Sequence, residues 1–162
     1  VRMPKTARTA AVVLGSLGAA TAIATSAPAS AQTVEFPQTP SVFYGGFCWG
    51  NIRTWVDTSP DYPGRAVFNV QALPVAGFGP GQYPLAPLCN VDTTVAWRNT
   101  TTGAAGEYRL NVVSGIYGSI LYAQFQDTGA GHIEVTTTTS NVNIPSRGAF
   151  DVAGPPPRPP GE

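Results

Sequence analysis

The chain has 162 residues, with nine Lys and Arg against nine Asp and Glu, two cysteines, one histidine and 11% charged residues, against about 25% in an average soluble domain. It offers no basic excess to neutralise a phosphate backbone, so nucleic-acid binding lacks its usual driving force; two cysteines and one histidine do not complete a four-ligand zinc site without carboxylates. Eighteen glycines and sixteen prolines argue against a helical bundle and for many turns, and the length suits one domain.

Arg2, Lys5 and Arg8 precede an apolar run from Ala10 to Ala24, and Thr25 to Ala31 ends in small residues, the pattern of a signal peptide over residues 1–31. The run falls short of the about 20 residues that span a bilayer. Cleavage after Ala31 would leave six Arg, no Lys and nine acidic residues, net −3, so the positive charge of the precursor is targeting charge. No cysteine follows that point to accept a lipid, and the end of the chain has neither a hydrophobic tail nor a sorting signal. The expected product is secreted or loosely held in the envelope, with no membrane span after cleavage. Val1 ahead of Met3 looks like a GTG start, and Arg used without Lys suits a GC-rich genome, so the source reads as a high-GC bacterium.

Residues 32–45 hold two prolines and no period, which predicts an extended lead-in rather than a strand of its own. Residues 46–153 then read as one β domain, and 154–162 as a proline-rich disordered tail that also suits polyproline II. Phe43, Tyr44, Phe47, Trp49 and Trp55 crowd together at the domain's start. If Cys48, Ile52, Thr54 and Val56 point inward, then Trp49, Arg53 and Trp55 share the opposite face with Phe47, Asn51 and Asp57. Rings interleaved with planar polar groups form a platform for sugars or peptides. The competing arrangement, which the sequence favours, has the lead-in folded back over those rings.

Asp57 to Gly64 places carboxylates and a serine before a glycine, as calcium loops do, but the twelfth position counted from Asp57 is Phe68, so a plain turn is expected and no metal. Ala66–Ala72, Cys89–Arg98, Glu107–Val112 and His132–Thr137 alternate apolar and polar residues, the period of half-buried antiparallel strands. Asn99–Gly106 and Asp127–Gly131 read as hairpin connections, and Leu73–Pro87 as a crossover between sheets. With Phe47–Val56, Ile120–Gln126 and Ala149–Val152 these make about seven strands, the pattern of an immunoglobulin-like antiparallel β-sandwich. The expected inward set is Ile52, Val56, Phe68, Val70, Val91, Val95, Trp97, Leu110, Val112, Ile120, Ile133 and Val135. Cys48 and Cys89 stand at strand starts, and in an exported protein they are expected to form one disulfide.

His132 shares a strand face with Glu134, which could serve as an acid/base pair, but no nucleophile stands nearby in sequence and an ordinary strand pair is the expectation. Asn99-Thr-Thr matches a glycosylation sequon by coincidence. The spacing from Cys89 to Gly106, completed by Leu110, resembles a strand-turn-strand segment of small exported proteins of mycolic-acid-bearing actinobacteria. That resemblance implies origin, export and a β fold, and no catalytic residues. The reading is a secreted, monomeric, non-enzymatic, cofactor-free protein that binds through its surface, with a cell-wall glycan or a secreted protein as partner. Its alternatives are a carbohydrate-binding module using Trp49 and Trp55, and an inhibitor of a secreted hydrolase presenting the Leu73–Pro87 loop.

Overall fold

The structure, a computed structural model, describes residues 30–158. The expected leader lies outside the described residues but for its last two, and the tail from residue 159 onward lies outside them as well. The described residues form ten strands: β1 (Gln32–Glu35), β2 (Thr39–Phe43), β3 (Phe47–Thr58), β4 (Ala66–Ala72), β5 (Ala76–Phe78), β6 (Cys89–Asn99), β7 (Ala105–Ser114), β8 (Tyr122–Gln126), β9 (Gly131–Thr139) and β10 (Ser146–Val152). Every pairing is antiparallel. One sheet runs β1-β3-β4-β8, with β2 and β5 also on β3; the other runs β10-β9-β6-β7. The expected antiparallel sandwich is therefore present, with ten strands in place of seven.

The three additional strands all flank β3. This strand is 12 residues long, and proline interrupts its neighbours on both sides. Pro37 separates β1 from β2 on one edge, and Pro74 separates β4 from β5 on the other, because a proline has no N–H for the ladder. The lead-in is thus a broken edge strand, which corrects the expectation that residues 32–45 form no strand and that the domain starts at 46. Between the fragments Phe36 turns inward, keeping a 3.0 Å bond from its N–H to the Thr54 carbonyl.

Eleven of the twelve expected inward residues are buried or packed against the core; Ile120 is exposed. The chain reaches β8 only at Tyr122, and Ser119 docks on Ala72, donating its N–H to that carbonyl and accepting that N–H on its hydroxyl. Ile120 precedes the strand, so strand alternation does not govern it. Across the sheets, Phe68 meets Phe150 edge to face at 5.8 Å, and Phe150 meets Phe36 at 6.4 Å. Gly148 lets the Phe36 ring lie against β10, and Gly106 does the same for Trp97 on β7, since a Cβ at either glycine would overlap the ring. One side of the interior carries a seam of hydroxyls, Thr39 to Ser146, Ser41 to Thr139 and Thr54 to Thr137, each joining one sheet to the other.

Asn99–Gly106 is a hairpin, with β6 and β7 paired on either side of it, and Leu73–Pro87 crosses from one sheet to the other, both as expected. Asp127–Gly131 is not a hairpin. It carries the chain from β8 in one sheet to β9 in the other, because the Asn99 amide donates to the carbonyls of Thr128 and Ala130 and holds the segment against the second sheet. Glycine-bearing spacing suits a corner between sheets as well as a hairpin.

Candidate functional site

Along β3 the inward residues are Cys48, Ile52, Thr54 and Val56, and the outward ones are Phe47, Trp49, Asn51, Arg53, Trp55 and Asp57. The lead-in lies beside β3 in the plane of the sheet and leaves its outer face uncovered, correcting the folded-back arrangement. Trp49 is 47% exposed and stands edge-on to Phe47, their centroids 5.6 Å apart. It borders an open groove of about 310 Å³ with Val42, Asn51, Val142 and Ile144.

Trp55 has a different setting. The Arg53 guanidinium lies 4.5 Å above its ring and is clamped by Glu35 through Nε to Oε1 at 2.6 Å and a terminal nitrogen to Oε2 at 2.9 Å. The ring face that would stack on a sugar is occupied. Six residues of β3 also place the two tryptophans about 20 Å apart, so they do not act as one platform. The pair of hydrogen bonds from Arg53 holds the Glu35 carboxyl below its ordinary value. Whatever stability this partly exposed, solvent-screened pair adds is therefore present above the usual carboxylate range and is lost as pH falls through the folded value. Arg53→Ala should uncover Trp55, measured as stronger acrylamide quenching in a protein whose Trp49 is replaced by Phe. Unchanged quenching would show that something other than the guanidinium shields the ring.

Cys48 and Cys89 are bonded, joining β3 of one sheet to β6 of the other. Around this bond the sandwich is closed on both sides. Tyr44 and Asn90 exchange backbone bonds of 2.7 and 2.9 Å, and Val42 and Pro40 pair with Val142 and Ile144. On the far side the Val75 N–H donates to Gly115, the Ser114 hydroxyl to Leu73, and the Val113 N–H to the Tyr122 hydroxyl.

Residues 36–52, 66–91, 110–126 and 135–146 contain no Asp, Glu, Lys, Arg or His. The topology brings these four runs to the disulfide end, where β3, β6 and β8 begin and β4, β7 and β9 finish. Among the described residues every exposed large hydrophobic side chain belongs to one of the runs, and all but Phe125 lie at this end. Phe125 is set toward the other end, against Tyr62 and beneath Arg65. The sequence reading treated the aromatics of β3 as a local cluster and missed the convergence, whose signal was the four charge-free runs.

The opposite end is charged. Arg65 pairs with Asp127 at 2.6 Å, and His132 Nδ1 meets Asp151 Oδ1 at 2.9 Å across the β9–β10 register. His132 thus joins Asp151 rather than Glu134, which lies opposite Ala149 and Arg98. Among the described residues no hydroxyl bonds its Nε2. Asp57 accepts from Thr33 and Asn69, Ser59 bonds Asp61, and the segment between β3 and β4 is a turn. No group of three or more His, Cys, Asp or Glu gathers at metal-binding distance among the described residues. Asn99 of the sequon is fully buried, with its amide spent on Thr128 and Ala130 and its oxygen on the N–H groups of Thr101 and Thr102. Its role is to organise two turns.

No helix among the described residues is long and apolar enough to cross a membrane. Compared with protein-family models, curated proteins and solved structures, the chain matches none.

Proposed function

We propose that this chain is an exported, non-enzymatic binding module that works at or near the cell envelope and engages its partner through the uncharged end of the sandwich. The observation that carries this reading is the convergence of four charge-free runs on one end. Soluble monomers seldom keep so many large apolar side chains together in water without a use for them. The leader pattern, the resemblance of Cys89–Gly106 to exported actinobacterial segments and the disulfide support export. The rigid closure around Cys48–Cys89 supports binding, because a preorganised surface loses little entropy when it docks. His132, held by Asp151 with no hydroxyl on its other nitrogen among the described residues, supports the non-enzymatic part.

The test is adsorption to washed envelope fragments of the producing cells. Placing charges on the apolar end with Leu85→Asp and Ile120→Asp together should cut the bound fraction about tenfold, while Ala104→Asp in the turn at the opposite end should leave it unchanged. Equal adsorption of all three proteins would remove this end from the function.

A second reading has its own observation. Trp49 beside a groove that also holds Asn51 and Asn143 is a site for one stacked sugar. Titrating tryptophan emission with soluble envelope glycans tests it, and a spectrum that never responds rejects it.

A further inference from the structure

We infer that the uncharged end docks on the surface of a lipid layer, its loop side chains entering the headgroup region while the two sheets remain in water. This rests on the reading that the disulfide end is the binding end, and it adds the partner.

The first argument is where charge resumes. By cross-strand level the shallowest charged residue at this end is Asp92, three positions into β6. Arg109 and Arg53 stand five and six positions from the ends of β7 and β3, and Arg147, second in β10, lies opposite Thr136 and so level with Ala96, seven positions into β6. At about 3.3 Å per residue the shallowest charge lies about 10 Å in. An apolar face settles about 5–10 Å into the boundary between headgroups and acyl chains. The charge-free depth therefore covers what a lipid surface would bury, and a charge in that zone would be penalised. A protein partner would be expected to meet charged groups at the rim, which this end lacks.

The second argument is shape. Tyr117 is 92% exposed, Leu85 73% and Ile120 71%, and they project from two separate loops. A second copy of the chain would need one self-complementary patch, whereas fluid lipid receives separate wedges. Trp49 and Tyr44 are half exposed and set back toward the sheets, at the level where amphipathic rings prefer to sit.

The third argument is the backbone. Backbone groups that pair within a loop need no partner from the lipid, and these loops pair part of theirs. Here the Gly79 N–H donates to Pro84 and the Ala86 N–H to Tyr83, Gly115 and Gly118 bond each other twice, and the Ile144 N–H donates to Pro40. Pro80, Pro84 and Pro87 remove three further donors from the crossover loop.

With no cation at this end, attraction to anionic lipid plays no part. The test is flotation of the protein, purified in its exported form, with zwitterionic phosphatidylcholine vesicles, alongside its tryptophan emission. The protein should float, its emission should shift to the blue and be quenched by brominated acyl chains, and neither result should change between about 50 and about 500 mM salt. The Leu85→Asp/Ile120→Asp protein should bind about tenfold less, and Ala104→Asp as well as the parent. Circular dichroism checks that each variant is folded, and if the double variant is not, Tyr117→Asp replaces it. Protein that stays out of the lipid fraction, or variants that bind equally, overturns the inference. If envelope fragments retain the protein while vesicles do not, the lipid partner is wrong and the binding end stands. If sedimentation reveals a dimer that the charged variant breaks, the partner is a second copy and the lipid inference fails.

Discussion

Replacing Cys48 and Cys89 by alanine should lower the unfolding free energy by about 4 kcal/mol, because their bond closes a loop with a sequence separation of 41 and removes that loop's freedom from the unfolded chain. This is a large share of the about 5–15 kcal/mol that holds a domain folded. Both cysteines are buried, so reductant should reach the bond only when the sandwich opens. Guanidinium unfolding of the parent and the double variant measures the difference. Alkylation without reductant should label neither thiol, and reductant alone should act slowly until denaturant is added. A midpoint that barely moves would mean that the backbone pairs Tyr44–Asn90 and Val75–Gly115 close this end unaided.

Phe68→Ala should cost about 3–5 kcal/mol. The ring is fully buried in β4 and meets Phe150 of the other sheet, which in turn packs on Phe36 from the lead-in, so one deletion empties the contact between both sheets and the edge. Phe47→Ala is the matched control. That ring is 71% exposed, and its removal should change stability by less than about 0.5 kcal/mol. Equilibrium denaturation of the two variants tests the pair. A loss below about 1 kcal/mol at Phe68 would show that the neighbouring side chains collapse into the space.

The separate behaviour of Trp49 and Trp55 shows how far a strand pattern reaches. Alternation placed both rings on the outer face of β3, and both are there. It carried no information on Glu35, which lies 18 residues before Arg53 and draws the guanidinium over Trp55 once β1 pairs with β3. His132 repeats the lesson. Its same-face neighbour Glu134 is visible in sequence, but its partner Asp151 arrives through the register of β10. In each case the decisive neighbour comes from another strand.

The two halves of the uncharged end divide in the same way. Absence of charge from residues 36–52, 66–91, 110–126 and 135–146 is a property of the chain alone, as are the period-two strands, the turn-rich composition and the two cysteines. Those follow from local chemistry, because alternation and backbone preference act within a few residues. Which strands pair, that Asp127–Gly131 turns a corner instead of closing a hairpin, and that four distant runs meet beside one disulfide were decided only in three dimensions. Pairing order is chosen by the whole core at once. A glycine-bearing turn or a charge-free run has the same local energy in several arrangements, and only the packing of Phe36, Phe68, Phe150 and Trp97 between the sheets selects one.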